Sequence, residues 1–314
     1  MTTAFIVSVL LLSAATAPVP VILDTDLGDD IDDTWALAML LGSPRVDVKL
    51  IVTASDDTPT KTRLVAKILE RMGRTDIPLA QGVKNSDNKI HQTQWLGDYQ
   101  LSQYKGKVID DGVGALIDTI KKSPDRITLC VIGPQTNIRA ALERDPSIAE
   151  KARVVLMAGS VHIGYDGKEG RAAEWNVFKD VPAARAVFAA PWDITMAPLD
   201  ICGTLRLAGP RYLAVKNSKD PLASVTIENY EQWANRKSHP AESSSVLFDT
   251  AAAYLAFDES FMEIETVKLS IDDKGNTVPG ESGRPVRCAL RWKDRDGFED
   301  LLVTALTKQP EKAR

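Results

Sequence analysis

The chain has 314 residues, of which 44% are hydrophobic and 26% are charged. This composition is typical of a soluble globular protein with a sizeable core and excludes a disordered chain. The formal net charge is −5 and no basic run is present, so the positive surface that binding to nucleic acid or to an anionic membrane requires is missing.

The chain begins with MTTAFIVSVLLLSAATAPVP, a short apolar stretch followed by small residues. This pattern is typical of a secretory signal peptide, with cleavage after Ala17 or, alternatively, after Ala15. A buried first strand or a lipid-facing anchor is the competing interpretation. We predict a signal peptide over residues 1–17 and one domain over residues 18–314, in a protein that is exported to the periplasm or secreted.

After the leader, short β-rich segments alternate with helical ones. The strand VILDTD precedes the helix DDTWALAMLL, and VKLIVTAS precedes PTKTRLVAKILERMG. The alternation continues through VGALIDTIKKS, ITLCVIG, TNIRAALERD, ARVVLMAGS, VPAARAVFAA and WDITMAPLD. Apolar strands that alternate with helices indicate an α/β fold with a mostly parallel central sheet, a Rossmann-like core and helices on both faces.

The pattern changes in the last third of the chain. Between Asn217 and Ala252 the sequence is mainly helical, and this stretch could cover the mouth of a site. Farther on, IETVKLSI and PVRCALRW are typical of the two strands of a small C-terminal hairpin. In a parallel sheet, functional residues collect beyond the carboxyl ends of the strands, so we examined the polar residues that follow each strand.

A dense cluster of acids follows the first strand. The six aspartates within ten residues are Asp24, Asp26, Asp29, Asp30, Asp32 and Asp33. Like charges this close raise one another's pKa and destabilise a loop unless a cation or water relieves them. A helix cap within a solvated acidic turn is the simpler interpretation of such residues. Six acids at the end of a buried strand favour a cation site instead.

The ligand chemistry of this cluster indicates a hard cation. Sites with several carboxylates, carbonyls and open water positions favour calcium over magnesium. The three histidines, His91, His162 and His239, are not paired at the spacing of zinc ligands. The order of acids also differs from an EF-hand loop, and a strand rather than a helix precedes it.

The motif DTDLGDDIDD, followed by TWALAMLL, resembles the N-terminal signature DxDPGxDD of the nucleoside hydrolases, the inosine- and uridine-preferring enzymes among them. Leu27 replaces the proline, and two extra residues intervene. The segments IGPQTNI, VVLMAGS, AEWN, ITMAPLD and FDTAAAY match further blocks of that family in order. The likeness runs from about Val21 to about Asp258. It implies a catalytic domain that hydrolyses the N-glycosidic bond of ribonucleosides to ribose and free base.

The resemblance also implies a calcium ion, held by acids of the first motif, one backbone carbonyl and a late aspartate. The matching positions are Asp26, Asp33, the carbonyl of Ile132 and Asp249, and we count Asp24, which matches the first acid of the motif, among the metal ligands as well. In such an enzyme water attacks an oxocarbenium-like ribosyl group. Calcium acidifies its bound water, and Asp26 beside that water is the candidate general base.

Other positions match residues that contact the sugar. Asp32 corresponds to an acid that contacts the ribose, and the two-residue insertion makes Asp30 a rival for that role. Glu174 and Asn176, from the AEWN block, match positions that hydrogen-bond the ribose, and we count Asn176 among the catalytic residues as well. After the second strand, Asp56 or Asp57 could bind the sugar likewise, and we select Asp57; surface turn polarity is the alternative for these loop residues.

The leaving base poses a separate question. Many relatives carry a histidine immediately before the late metal-binding aspartate, and this chain has Phe248 there. A phenyl ring cannot donate a proton. Either His239 supplies the proton, or the base leaves while stacked on Tyr230 and Trp233 in the substrate site, as purine-preferring relatives do. We favour stacking, although helix packing explains the spacing of these two aromatics equally well.

Three functional hypotheses follow from these observations. The first is the calcium-dependent nucleoside hydrolase, which by its family resemblance forms a homo-oligomer, a dimer or a tetramer. The second is a calcium-stabilised protein that binds ribose or a nucleoside without turnover, or a related hydrolase of another N-riboside. The third is a phosphohydrolase with a nucleophilic aspartate after the first strand, against which the ordered downstream blocks argue.

Overall fold

The computed structural model describes residues 17–235 and 242–307 of the chain. The predicted signal peptide, apart from its last residue, lies outside these ranges, and so does His239. None of the helices in the described part of the chain is both long enough and apolar enough to cross a membrane.

The ten strands of the described chain are β1 (Val19–Thr25), β2 (Val46–Thr53), β3 (Leu79–Gln81), β4 (Val108–Ile109), β5 (Ile127–Val131), β6 (Ala152–Met157), β7 (Ile194–Ala197), β8 (Met262–Ile271), β9 (Thr277–Pro279) and β10 (Arg284–Trp292). The helices in the first half are α1 (Asp32–Gly42), α2 (Thr58–Arg71), α3 (Thr93–Leu96), α4 (Gly112–Lys122), α5 (Thr136–Arg144) and α6 (Ile148–Lys151). Those in the second half are α7 (Trp175–Lys179), α8 (Val181–Ala189), α9 (Leu199–Cys202), α10 (Gly209–Lys216), α11 (Pro221–Ala234), α12 (Phe248–Leu255) and α13 (Arg295–Thr307).

The strands form one sheet in the order β4-β3-β2-β1-β5-β6-β7-β10-β8-β9. The strands from β4 to β10 in this order pair in parallel, and β8 pairs antiparallel with both β10 and β9. The prediction of a mostly parallel sheet with a C-terminal hairpin is therefore confirmed. The two predicted hairpin strands lie within β8 and β10, and β9 adds a short strand between them in sequence.

Both faces of the central parallel strands are buried under helices, as continuous apolar strands require, whereas β8 and β10 carry several exposed residues. Alternate residues of β1 point to opposite cores: Val21 and Leu23 pack on the face of α1, and Ile22 packs on the other. Helices α1, α2, α11, α12 and α13 cover the first face, and α4, α5 and α8 cover the second. Helix α1 is buried along its whole length, so it is a central element of the first layer.

The strand order reverses between β1 and β5. From β1 the chain builds outward through β2, β3 and β4, and it then returns to place β5 on the opposite side of β1. Connections leave these two strands in opposite directions, which opens a crevice at their carboxyl ends. The acid cluster begins at the end of β1 and therefore lies at this crevice.

The stretch between residues 217 and 252, predicted as a helical cover, is only partly one. Helix α11 packs against α1 and contributes buried residues to the core, so it forms part of the first layer. Helix α12 does reach the crevice, through its first two residues. The residues between these two helices include the undescribed segment 236–241.

Candidate active site

A cavity of about 570 Å³ opens at the carboxyl ends of the central strands. Most of the residues predicted for the site line it together. These lining residues are Asp26, Asp30, Asp32, Asp33, Ile132, Glu174, Asn176, Phe248 and Asp249. They come from the ends of β1 and β5 and from the beginnings of α1, α7 and α12, so the fold gathers segments that are far apart in sequence.

Three carboxylates at the cavity form a group with the geometry of a metal site. Oxygen atoms of Asp32, Asp33 and Asp249 lie within 4.8 Å of one another, and all three side chains are buried. Asp32 and Asp33 begin α1, and Asp249 is the second residue of α12, so the partial positive charge of two helix N-termini favours the carboxylates. The backbone N–H of Asp249 donates to Asp32 Oδ2 at 3.3 Å, which joins the two helix ends.

Burial and mutual repulsion keep these acids from ionising freely. Loss of water raises the pKa of Asp26 to about 7 and that of Asp32 to about 8. The pKa values of Asp33 and Asp249 lie well above the usual range, because both groups are buried and face other carboxylates. The hydroxyl of Thr25 donates to Asp33 and acts in the opposite direction. An all-oxygen group of this kind fits a hard divalent cation, which would offset the repulsion.

A buried lysine side chain supplies a positive charge next to these acids. The Lys61 side chain is 0% exposed, and its Nζ donates to the carbonyl of Asp26 at 2.8 Å and to Asp29 Oδ2 at 2.9 Å. Burial opposes the charge of Lys61, but the carboxylates of Asp26 and Asp29 outweigh it and raise the lysine pKa. Residues 27–31 are here called the acidic loop. The positive charge of Lys61, a residue of α2, thus stabilises this loop.

The AEWN block forms the wall beside the acids. Glu174 caps α7: its carboxylate accepts hydrogen bonds from the backbone N–H groups of Asn176, Val177 and Gly159. Burial raises the pKa of Glu174 to about 7 despite these hydrogen bonds. The Asn176 amide donates to the carbonyl of Ile132 at 3.0 Å, so the predicted backbone ligand also holds this wall in place.

After β2 the structure places Asp56, and not Asp57, on the cavity wall. Asp57 precedes α2 and accepts a hydrogen bond from Thr60, so the structure favours Asp56 over Asp57 as the acid of this pair that could contact a substrate. The reason is a turn that the sequence hides: Ser55 and Asp56 both have left-handed backbone conformations, with φ of 62° and 53°. Such strain is concentrated at functional sites.

Asp56 is held by a cluster of donors at the cavity edge. Ser86 and Asn88 donate to its Oδ1 atom at 2.5 and 2.7 Å, and Lys179 Nζ lies 3.2 Å from the same oxygen. Burial acts in the opposite direction, but these hydrogen bonds lower the pKa of Asp56. Asp56 is therefore an ionised acceptor on the wall, unlike the acids around Asp33.

Asp24 is behind the cavity and is not part of its lining. Its Oδ2 atom accepts a hydrogen bond from Asn137 at 2.7 Å, and the same amide donates to the carbonyl of Thr53 at 3.0 Å. Burial raises the pKa of Asp24 to about 7. The prediction that Asp24 is a metal ligand is not supported by this position, because the carboxylate joins the ends of β1 and β2 to α5.

Tyr230 and Trp233, predicted to stack on the leaving base, are absent from the cavity lining formed by the described residues. Both are buried in the first layer, where Tyr230 packs edge-on against Trp35 with ring centroids 6.0 Å apart. The indole N–H of Trp233 donates to the carbonyl of Asp29 at 3.0 Å. Their spacing on α11 reflects core packing, which is the interpretation that the sequence left open.

Other residues line the cavity without having been predicted. They are Asp29, Asn88, Lys89, His91, Met157, Tyr165, Trp175 and Lys179. Trp175 is 51% exposed, a large fraction for an indole ring, and Lys179 Nζ lies 5.2 Å from its ring centroid. The position of Trp175 inside the AEWN block was a sequence signal that could have placed it at the site. His91 and its neighbours lie in a loop whose composition gave no comparable signal.

Comparison with known proteins gives a consistent result. A family model described as inosine-uridine preferring nucleoside hydrolase matches residues 21–307. The pyrimidine-specific ribonucleoside hydrolase RihA of Enterobacter sp. (strain 638) is 28% identical, over 92% of this chain and 98% of that protein. The protein of the same name from Citrobacter koseri is also 28% identical, over 91% of this chain and 97% of that protein.

Solved structures share the fold. The plant nucleoside hydrolase PpNRh1 superimposes with a TM-score of 0.77 at 25% identity, covering 92% of this chain and 99% of that chain. The purine-preferring ribonucleoside hydrolase from Gardnerella vaginalis gives a TM-score of 0.76 at 23% identity, covering 92% and 98% of the two chains. The α/β architecture is therefore that of solved nucleoside hydrolases.

The raised pKa values make a prediction about stability without metal. The folded-state pKa of Asp32 lies at about 8, above its ordinary value of 3.8, so the folded chain holds more protons than the unfolded chain between these values. The free energy of unfolding of the chelated protein should then fall as the pH rises through this window. Thermal unfolding in a chelator, from about pH 5 to about pH 8, measures this loss, which a divalent cation should abolish.

The control for this experiment is Asp32→Asn, which removes one such group and should make the pH dependence of the chelated protein less steep, because other buried acids with raised pKa remain. Surface acids with lowered pKa, such as Asp145 at about 2, affect stability only below the window. A melting temperature of the chelated protein that rises across the window would contradict the assignment of these acids as a repelling cluster.

Proposed function

This chain belongs to the inosine-uridine preferring nucleoside hydrolase family, and we propose that it is a calcium-dependent enzyme that hydrolyses ribonucleosides to ribose and free base. The single observation that best supports calcium is the buried group of Asp32, Asp33 and Asp249 on the cavity wall. Membership of the family over residues 21–307 excludes the phosphohydrolase alternative.

The residues that would hold the ion are oxygen donors only. They are the carboxylates of Asp26, Asp33 and Asp249 and the carbonyl of Ile132, and the Asp32 carboxylate lies next to those of Asp33 and Asp249. All of them line the cavity. Calcium accepts more ligands and looser geometry than magnesium, which suits a site shared with sugar hydroxyls. When bound, calcium would acidify a water and fix the ribose hydroxyls.

Asp26 is the group that we assign as general base. It lines the cavity beside the three-carboxylate group and is 8% exposed. Its carboxylate can accept a proton from a neighbouring water, which is the chemistry that a general base supplies. Gly133 packs against it, since a Cβ there would come within 3.0 Å of Asp26 Oδ1. This contact fixes the carboxylate from the β5 side.

The remaining polar wall suits a ribose. Glu174 and Asn176 stand on one side, and Asp56 stands at the edge with its donors Asn88 and Lys179. Asp56 has a lowered pKa and accepts hydrogen bonds, so it can accept one from a sugar hydroxyl. The ribose would lie between these groups, with its hydroxyls toward the carboxylates.

Aromatic side chains indicate where the base would rest. Tyr165 and Phe248 meet edge to face with ring centroids 6.1 Å apart, and the exposed ring of Trp175 stands beside them in the lining. His91 lines the same cavity and carries an imidazole that can donate a proton, unlike Phe248. We therefore assign protonation of the departing base to His91; His239 lies outside the described residues, and its role stays a prediction.

Ribose release from a nucleoside panel tests the function. The panel contains uridine, cytidine, inosine and adenosine, because the relatives named above include pyrimidine-specific and purine-preferring enzymes. We expect reducing sugar and free base to appear from at least one nucleoside, to disappear after chelation, and to return with calcium. Nucleoside binding without ribose release would instead indicate the non-catalytic alternative.

Replacement of Asp26 with asparagine tests the assignment of the base. Asp26→Asn keeps the shape of the side chain and one oxygen ligand but cannot accept the proton, so kcat at saturating calcium should fall by about a hundred-fold or more. Asp24→Asn is the matched control, because Asp24 is two residues away and outside the cavity lining. An Asp26→Asn enzyme that turns over at nearly the rate of the unmodified protein would place the base elsewhere.

Replacement of His91 tests the leaving-group assignment. His91→Gln removes the proton donor while keeping a polar side chain, so kcat should fall by about a hundred-fold for nucleosides with poor leaving groups. The kcat for p-nitrophenyl riboside should fall much less, because its leaving group, p-nitrophenolate, needs no proton. Equal losses with both substrates would show that His91 acts on binding and not on the departing base.

Export and assembly stay predictions. The leader lies outside the described residues, apart from its last residue, and we propose that it directs the mature protein to the periplasm or the medium. Mass spectrometry of the N-terminus of the exported protein would locate the cleavage. We also propose a dimer or tetramer, which light scattering of the purified protein would measure.

A further inference from the structure

The acidic loop is held through its backbone oxygens by side chains outside the cavity lining. The carbonyl of Asp29 accepts from the indole of Trp233 at 3.0 Å, and that of Asp30 accepts from the Gln92 amide at 2.6 Å. The backbone N–H of Gln92 donates to the carbonyl of Gly28 at 2.9 Å. Three successive carbonyls are thus bound by donors from α11 and from the residue that precedes α3.

These donors are themselves fixed. Gln92 is buried, and its side-chain oxygen accepts a hydrogen bond from Asn229 of α11 at 2.7 Å. Trp233 is 3% exposed and packs against Tyr230 with ring centroids 6.0 Å apart. A rotation of either donor would therefore disturb the core, so both are held rigidly where the loop needs them.

The loop has a physical need for such support. Its acids face the cavity together with those of α1, and their repulsion would push the loop away unless other contacts oppose it. Lys61 opposes it by charge, through its contacts with Asp26 and Asp29. Gly28 has a φ of +133°, and a Cβ there would lie 2.8 Å from Ile90, so the backbone also sits directly against the neighbouring segment.

We propose that Gln92 and Trp233 are positioning residues for the cation site. They hold the carbonyls of the acidic loop, which leads directly into Asp32 and Asp33, and so keep the two carboxylates in place before any ion binds. Neither residue belongs to the cavity lining formed by the described residues. This inference rests on the proposed function for its calcium readout. It goes further by identifying residues that order the site before an ion binds.

The test compares variants that lose a donor to the acidic loop with a variant that loses a buried indole donor elsewhere. Trp233→Phe removes the N–H bound to the loop, and Gln92→Met removes the amide. The control is Trp192→Phe, because Trp192 is equally buried and its indole donates to the carbonyl of Val187 at 3.0 Å, away from the cavity lining. Calcium affinity of the chelator-stripped full chain is measured by titration calorimetry, together with the melting temperature.

Both loop variants should bind calcium about tenfold more weakly, the usual effect of losing a group that orients metal ligands. Trp192→Phe should lower the melting temperature by a similar amount and leave the calcium affinity unchanged. The proposal is overturned if neither loop variant weakens calcium binding, or if Trp192→Phe weakens it as much as Trp233→Phe does.

Hydrogen exchange of residues 27–31 separates this proposal from the proposed function. If the unmodified protein binds no calcium, the metal assignment fails, and exchange alone decides the role of the donors. Faster exchange in Trp233→Phe and Gln92→Met, but not in Trp192→Phe, supports the positioning role. Unchanged exchange in the two loop variants overturns it.

Discussion

The structure depends on burying several carboxylates next to one another at the end of β1. Isolated carboxylates are strongly disfavoured away from water, and neighbouring ones raise the cost further. The chain offsets this cost in four ways: the N-termini of α1 and α12, the buried ammonium of Lys61, hydrogen bonds such as that from Thr25 to Asp33, and the capacity to take up a cation. The cavity is the place where these four contributions meet.

The sequence contained the information for the sheet and for the acids that follow β1, because both are local patterns. Apolar strands and amphipathic helices alternate visibly, and carboxyl ends of parallel strands share one edge. The AEWN and FDTAAAY blocks placed Glu174, Asn176 and Asp249 correctly on the cavity lining through family likeness. Secondary-structure spacing alone would not have brought Asp249 to Asp32, which is 217 positions away.

The residues that were missed or misplaced depended on conformation and tertiary packing. Asp57 was chosen where Asp56 lines the cavity, because the left-handed turn at Ser55 and Asp56 decides which side chain faces inward, and neither residue is glycine. Tyr230 and Trp233 lie on one helical face, but spacing cannot say whether that face meets a cavity or a core. His91 reaches the cavity from a loop with no motif of its own, and Lys179 does so from the end of α7, just beyond the AEWN block.

The joining of α1 and α12 has a consequence for how the protein is made. The carboxylates of Asp32 and Asp33 leave the ribosome long before Asp249, so a nascent chain holds an incomplete ion site for most of its synthesis. Contacts between such distant positions form late and slow the folding of a domain. The Lys61 ammonium, only 28 positions after Asp33, is available much earlier. Its positive charge can therefore reduce the repulsion between these aspartates until the C-terminal half of the chain has been synthesised.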